Sequence, residues 1–168
     1  AASFVAAALN GDIDNYQPLV RNLGEQGIFL PPGTTCDAKV IPVILAEDLV
    51  SAVDPVAGFR QMVDRFDGSF AICAQTTVAP GKIFLARKGS GQGLYVGQHA
   101  GGWMFASELY GLVELTRQVH RLEAKNRGHI LVLDNQSPTS IQSLAFDGSE
   151  VPLGSLTEAD ITTRDVDR

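Results

Sequence analysis

The sequence has 168 residues, of which 45% are hydrophobic and 19% are charged. This balance excludes a disordered chain and is sufficient for one folded domain with its own core. The net charge of −6 argues against a nucleic-acid surface, and no apolar run is long enough to span a membrane. Two cysteines, Cys36 and Cys73, predict no disulfide framework or metal cluster and favour a reducing, cytoplasmic setting.

The first predicted element is a short buried strand over residues 3–9, followed by Asn10-Gly11. Glycine tolerates positive φ, so this pair is expected to end the strand. The Asn amide and the Gly N–H are both donors, and a rigid strand end could aim them at a developing oxyanion. A structural turn is the alternative, and the pattern alone favours it. A hairpin is disfavoured because apolar residues at steps of three and four predict a helix over residues 12–23.

A short strand is expected over Gly27 to Leu30, and two more helices are predicted after it. Asp37 falls in the first turn of the second helix, where a carboxylate suits the helix dipole. Pro42 indicates that this helix either starts late or is kinked. The third helix has the clearest start, with Asp54 as its N-cap and Pro55 at its first position.

After residue 68 the pattern changes to short strands separated by turns. The predicted strands cover residues 70–74, 83–86, 94–97, 103–106, 119–122, 130–133 and 141–146. A short helix capped by Ser107 interrupts them. The loop over residues 89–93 is expected to be a hairpin, since it lacks the Lys-Ser/Thr ending of a phosphate loop. Helices first and strands afterwards predict an α+β fold with helices stacked on a largely antiparallel sheet.

Histidines and cysteines are the other candidates for chemistry. The three histidines, His99, His120 and His129, have neither metal-ligand spacing nor a Gly-x-Ser-x-Gly elbow beside them. Cys36 lies at a helix start, which lowers a thiol pKa, although the adjacent Asp37 opposes that effect. Cys73 lies in an apolar strand and is expected to be a buried hydrophobe.

Short segments along the chain resemble, in order, those of class II glutamine amidotransferase domains. Residues 10–16 resemble the family's His-Asn-Gly-x-Ile-x-Asn-Tyr segment, and residues 35–40 resemble its Thr-Asp-Thr-Glu-Val helix start. Residues 66–72 are similar to its Leu-x-Gly-Ala-Tyr-Ala-Leu strand, and residues 85–90 to the Ala-Ala-Arg-x-Gly-Ser segment of the glucosamine-6-phosphate synthase branch. Three further segments are similar to later parts of the family: 105–108, 128–133 and 146–151.

The resemblance implies an N-terminal-nucleophile hydrolase fold, an αββα sandwich of two antiparallel sheets, without its first strands. Residues 1–151 would be the later part of the domain, and residues 152–168 a polar tail or linker. The implied activity is glutamine hydrolysis with transfer of ammonia to an acceptor, and no cofactor is implied. By position, Asn10 would be the oxyanion-hole amide, Gly11 would hold the substrate through its backbone, and Asp37 would bind the α-ammonium of glutamine. A carboxylate suits this last role because it pairs with a cation.

The sequence also departs from the family's pattern. The family nucleophile is an N-terminal cysteine with its own amino group as base, whereas the sequence given begins with two alanines. Cys36 does not substitute, since it falls beside Asp37. Leu9 stands where the family has His, and Lys39 where it has Glu. The family's Arg-bearing loop, which binds the glutamine carboxylate, is also missing.

Two explanations of these departures are open. The chain is either the later part of a longer domain or a degenerate domain kept for binding or regulation. The first is favoured, because the apolar strand over residues 3–9 needs a cover. That cover would be a missing N-terminal segment, a partner chain or a second copy, so a homo-oligomer is also expected.

Three functions are therefore considered. The first is the glutaminase part of a glucosamine-6-phosphate synthase-like amidotransferase, which residues 87–90 favour. The second is the phosphoribosylpyrophosphate amidotransferase branch, which residues 106–108 also fit. The third is a non-catalytic binding or regulatory module, favoured by Leu9, Lys39 and the absence of the cysteine.

Overall fold

The strands form two antiparallel sheets. In the computed structural model, residues 4–123 and 128–156 are described. Within these ranges the strands are β1 (Val5–Ile13), β2 (Gly68–Thr76), β3 (Lys82–Lys88), β4 (Tyr95–His99), β5 (Gly102–Ala106), β6 (Val119–Arg121), β7 (His129–Asp134) and β8 (Ile141–Leu144). The helices are α1 (Tyr16–Glu25), α2 (Val40–Ser51), α3 (Pro55–Asp64) and α4 (Tyr110–Val113). The larger sheet has the order β1-β2-β3-β7-β8, and the smaller one β5-β4-β6.

Successive side chains of each strand point to opposite faces of its sheet, so each sheet packs on both sides and the fold is layered. One face of the larger sheet, including Ile72 and Phe84, packs against α1, α2 and α3. Its other face, including Leu85 and Leu131, packs against Val96 of the smaller sheet. Buried residues of α4 cover the outside of the smaller sheet. The predicted αββα arrangement of antiparallel sheets is confirmed.

The helix starts follow from local chemistry. Asp54 Oδ1 accepts the N–H of Ala57 at 2.9 Å, and Pro55 is the first residue of α3, as predicted. α2 starts late, at Val40, after a 3-10 turn over Asp37–Lys39. Pro42 therefore lies in the first turn of α2, where its missing N–H breaks no helical hydrogen bond.

Three predictions about local structure are wrong. Residues 27–30 form no strand, because the N–H of Ile28 donates to the Leu23 carbonyl at 2.9 Å and thereby closes the end of α1. The loop over residues 89–93 is not a hairpin, since it leads from β3 in one sheet to β4 in the other. Ser107 does not cap α4, whose N-cap is Leu109 without a side-chain hydrogen bond.

The first strand is longer than predicted. It runs through Asn10-Gly11 to Ile13, so the pair lies inside the strand and does not end it. Gly11 pairs with Phe70 of β2 although its φ is +105°. Glycine alone adopts this angle without strain, so the ladder continues where the sequence indicates a break. The predicted beginning of the strand, at residue 3, lies outside the described residues.

The beginning of the predicted tail contacts the smaller sheet. The N–H of Leu156 donates to the Val119 carbonyl at 2.9 Å, and Ser155 pairs with His120. Residues 157–168 lie outside the described part of the chain, and a domain boundary at residue 151 stays a prediction. Across the described ranges, no helix is long and apolar enough to cross a membrane.

His129 is a buried polar link between the end of β6 and the sheet edge. Its Nδ1 accepts the N–H of Glu123 at 3.0 Å, and its Nε2 lies 2.8 Å from the Ser143 hydroxyl. Ser143 Oγ donates to the Val151 carbonyl at 2.7 Å, so the imidazole is neutral and donates from Nε2. Burial lowers the pKa of His129, and Arg87 lowers it further, while the Glu123 carboxylate acts in the opposite direction.

Acidification from pH 7 to pH 5 is expected to reduce the free energy of unfolding. The unfolded chain protonates its histidines near pH 6.5, whereas folding lowers the pKa of His129 and also of His120. Below about pH 6.5 the unfolded state therefore binds more protons than the folded state. The contribution of the neutral histidines to the free energy of unfolding is complete above about pH 6.5 and is lost as the pH falls below it. In urea titrations, His129→Gln should flatten the pH slope and the exposed control His99→Gln should not. Identical slopes in both variants would contradict the assignment.

Candidate functional site

β1 is an edge strand, and the alternation of its backbone determines which groups are open. The Phe4 carbonyl accepts the N–H of Thr77 at 3.1 Å, and the N–H of Asp14 donates to the Asp67 carbonyl at 2.9 Å. Even-numbered residues from 4 to 14 therefore face β2. The N–H and C=O groups of the odd-numbered residues point to the open edge.

The Asp37 carboxylate accepts a hydrogen bond from the backbone at the end of this open edge. Its Oδ2 accepts the N–H of Ile13 at 2.9 Å, and its Oδ1 accepts the N–H of Ala38 at 2.8 Å. Oδ1 also accepts from the Cys36 thiol at 3.9 Å, so the acceptor position that remains open is the second lone pair of Oδ2. Gly11 precedes Ile13 by two residues, about 7 Å along the strand, and its N–H faces the same edge. A backbone donor without a partner in the described part of the chain and a half-buried carboxylate thus lie on one edge.

The Asn10 side chain lies on the face of β1 that points towards the smaller sheet. Its ladder partner, Ala71, belongs to the apolar cluster between the two sheets. Asn10 itself is exposed, and its amide makes no hydrogen bond to any described residue. Its donors are therefore available to a ligand at the position where Gly11 presents its N–H.

The loop over residues 89–93 closes over Gly11. A Cβ at Gly11 would lie 2.7 Å from Gln92 Cδ and 2.9 Å from Gln92 Nε2. Ser69 Oγ donates to Gln92 Oε1 at 2.7 Å and accepts the N–H of Gly91 at 3.0 Å. The side chain of Gln92 is thus held against the Gly11 backbone by a hydroxyl of β2.

Arg87 fixes the same loop from inside the sandwich. It is 3% exposed, its Nε donates to the Gln92 carbonyl, and its Nη1 donates to the Leu122 carbonyl at 2.7 Å. Burial lowers the pKa of Arg87, and the neighbouring Arg121 lowers it further, while Glu123 opposes both effects. The buried guanidinium ties the loop to the end of β6.

The structure brings Asn10 and Gly11 together with Asp37 at one end of β1. The two cysteines have environments that differ from each other. Cys36 is exposed, with its Sγ 3.9 Å from Asp37 Oδ1, and Cys73 is half-buried, with its thiol pKa raised by burial. No group of three or more His, Cys, Asp or Glu residues in the described ranges could hold a metal ion.

Sequence reasoning did not identify the support given by Ser69, Arg87 and Gln92. A signal existed for Arg87, because a charge that directly follows the apolar run of β3 is seldom buried unless it has partners. None existed for Gln92, whose neighbours in the sequence are glycines.

Comparisons with known proteins bear on the family and the fold of this chain. A family model described as a glutamine amidotransferase domain matches residues 2–114. The glutamine–fructose-6-phosphate aminotransferase (isomerizing) of Streptomyces coelicolor is 30% identical over 87% of this chain and 24% of that protein. The enzyme of the same name from Symbiobacterium thermophilum is 35% identical over 70% of this chain and 18% of its own length.

A solved structure shares the fold. The glutamine phosphoribosylpyrophosphate amidotransferase of B. subtilis superposes with a TM-score of 0.70 at 19% identity, over 87% of this chain and 30% of that one. The chain thus spans less than a third of the length of these relatives.

Proposed function

Because the chain belongs to the glutamine amidotransferase domain family, we propose that it forms the glutamine-binding part of an enzyme that hydrolyses glutamine and supplies ammonia to an acceptor. One observation carries the proposal. The open N–H of Gly11 lies on the same strand edge as the Asp37 carboxylate, beside the unpaired amide of Asn10. The edge thus offers donors for a carboxamide oxygen and an acceptor for an ammonium group.

The proposed chemistry assigns a role to each group. The Asn10 amide and the Gly11 N–H stabilise the negative charge that develops on the carboxamide oxygen during attack. Asp37 pairs with the α-ammonium group, and the spacing along β1 separates the two ends of the substrate. The nucleophile is assigned to a segment outside residues 4–156, since Cys73 is half-buried with a raised pKa and Cys36 lies beside Asp37.

The open edge of β1 supports a second part of the proposal, a cover for this strand. A groove of about 400 Å³ between β1 and α2 is lined by Phe4, Val5, Pro42 and Val43, and Phe4 is 65% exposed. Unpaired backbone beside exposed apolar side chains favours a further strand there. A segment outside the described residues or a second copy of the chain would supply it and leave Gly11 free for substrate.

The sequence relatives favour one branch of the family. The two aminotransferases named above are 30% and 35% identical to the chain. The phosphoribosylpyrophosphate amidotransferase is 19% identical and supports the shared fold alone. We therefore propose a glutaminase of the glucosamine-6-phosphate synthase type, with a hexose phosphate as acceptor. A cytoplasmic location stays a prediction.

A non-catalytic binding or regulatory module is the second candidate. Both oxygens of Asp37 already accept backbone N–H groups, so the carboxylate has a structural use without any ligand. Leu9 and Lys39 also differ from the family's residues. Release of ammonia from L-glutamine by the native protein that contains this chain distinguishes the two functions, since a module releases none.

Asn10→Ala is expected to lower kcat for glutamine hydrolysis by about 100- to 1,000-fold, as for other lost oxyanion donors. KM should change little, because the amide acts on charge that develops during attack. The free energy of unfolding should be unchanged, since Asn10 is exposed and has no partner among the described residues. Steady-state ammonia release and urea titration measure the two effects.

Asn22→Ala is the matched control for this prediction. Asn22 is an exposed amide on α1, away from the edge of β1. It should keep wild-type kcat. Equal kcat for wild type and Asn10→Ala would remove Asn10 from the oxyanion site, and a wild-type protein without glutaminase activity would favour the regulatory module.

A further inference from the structure

Gln92 is a polar side chain beside Gly11, and its amide N–H groups have no hydrogen-bond partner among the described residues. We propose that it is a further glutamine-binding residue, whose amide N–H donates to bound substrate beside Asn10 and Gly11. This inference rests on the proposed function, because it assigns a ligand contact within the same site. It concerns a loop whose glutamine carried no signal in the sequence.

The hydrogen bonds of Ser69 fix the orientation of the Gln92 amide. Ser69 Oγ accepts the N–H of Gly91 at 3.0 Å, so its own proton goes to Gln92 Oε1 at 2.7 Å. The acceptor end of the amide is thereby used, and Nε2 is the end with free protons. Within residues 4–123 and 128–156, neither N–H of that amide has a hydrogen-bond partner.

The position of Nε2 places these protons at the site. A Cβ at Gly11 would come within 2.9 Å of Gln92 Nε2, so the amide rests directly on the Gly11 backbone. Ser69 belongs to the same face of the sheet as Ala71, the ladder partner of Asn10. The two free amides therefore lie on one face, on either side of the glycine whose N–H is open.

The backbone of Gln92 is as firmly held as its side chain. Its carbonyl accepts from Arg87 Nε, and Arg87 in turn reaches the Leu122 carbonyl. A donor held at both ends loses little conformational entropy on binding a ligand, which is the condition for an effective contact. A purely structural function of Gln92 would use the contact of Oε1 with Ser69 and would assign no contact to Nε2.

Gln92→Glu tests the donor. The substitution keeps the length and the acceptor for Ser69 but replaces the two N–H protons by a negative charge. In binding titrations of the native protein that contains this chain, affinity for L-glutamine should fall about tenfold, the effect of one lost hydrogen bond and added repulsion. Affinity for L-glutamate should fall further, because its side-chain carboxylate would face the introduced charge. A purely structural function of Gln92 would not change the ratio of the two affinities.

Two controls make the result decisive. Gln142→Glu introduces the same charge at an exposed position of β8 and should bind as wild type. Gln92→Met lacks the amide N–H donor but does not introduce the negative charge of Gln92→Glu. It should therefore weaken glutamine binding less than Gln92→Glu does. If wild type binds glutamine and both Gln92 variants bind it with wild-type affinity, the inference is overturned and the proposed function stands. If wild type binds no glutamine, the proposed function fails, and this contact with it.

Discussion

Replacing Asp37 with asparagine is expected to weaken L-glutamine binding by about 100-fold, which corresponds to about 2.7 kcal/mol. The carboxylate is the proposed partner of the substrate α-ammonium, and it lies on the edge of β1 where Gly11 presents its N–H. Removal of one member of a hydrogen-bonded charge pair costs about 2–5 kcal/mol, because the remaining charge is left without a partner. The loss should appear in the dissociation constant measured by NMR titration.

The same substitution has a structural effect that must be separated from binding. Asp37 accepts the N–H of Ile13 at 2.9 Å and that of Ala38 at 2.8 Å, and an amide can accept only with its single oxygen. One backbone N–H is left unsatisfied, so the free energy of unfolding should fall by about 1–3 kcal/mol. Urea titration at the temperature of the binding experiment measures this cost and shows whether the variant is folded.

Asp64→Asn is the control for charge. Asp64 is exposed at the end of α3, so its loss changes the net charge by the same amount without contact to β1. It should bind glutamine as wild type does. If Asp37→Asn is destabilised and yet binds glutamine normally, Asp37 is only the cap of the strand edge, and its assignment to the ammonium group is wrong.

Replacing Gly11 with alanine should give the largest loss of stability among the substitutions proposed for this chain. Its φ is +105°, which costs an L-residue about 1–3 kcal/mol. The added Cβ would also lie under 3.0 Å from the Ser69 carbonyl oxygen, a backbone atom that cannot move without shifting β2. Overpacking of this kind adds about 1–3 kcal/mol, so a total loss of about 2–6 kcal/mol is expected. Urea unfolding should show it directly.

Gly33→Ala separates the two causes. Gly33 has a φ of +78° but no atom within 4 Å of an added Cβ, so it carries the conformational cost alone. A loss of about 1–2 kcal/mol is expected there. If the two variants lose the same stability, the close approach of Gly11 to β2 has no energetic consequence. In a folded fraction of Gly11→Ala, displacement of Gln92 should also weaken glutamine binding.

Several features follow from the sequence because they depend on neighbouring residues. Asp54 and Pro55 predict the start of α3, since a cap and a fixed φ act within one turn. Asp37 is predicted in a first helical turn and is found in the 3-10 turn before α2. The order of short motifs also identifies the family, which the match over residues 2–114 establishes.

Other features required contacts between distant segments. Asn10-Gly11 indicates a strand end by itself, but pairing with β2 carries the strand on to Ile13. The same register directs the N–H of Gly11 to the open edge, because a shift by one residue would turn it inward. Residues 27–30 are apolar enough for a strand, yet the hydrogen bond of Ile28 to Leu23 uses the backbone N–H that a ladder would need.

The family, the αββα class and the three candidate residues Asn10, Gly11 and Asp37 could be predicted from the amino-acid sequence. Which of their groups are open, and which residues surround them, depends on contacts between distant segments. Gln92 meets Ser69 across 23 positions of the chain and Gly11 across still more, and its neighbouring glycines impose no pattern. Local periodicity and capping are encoded within one or two turns, whereas strand register and loop packing are set by the whole core. The N–H of Gly11 is open because of the strand register, which the whole core sets.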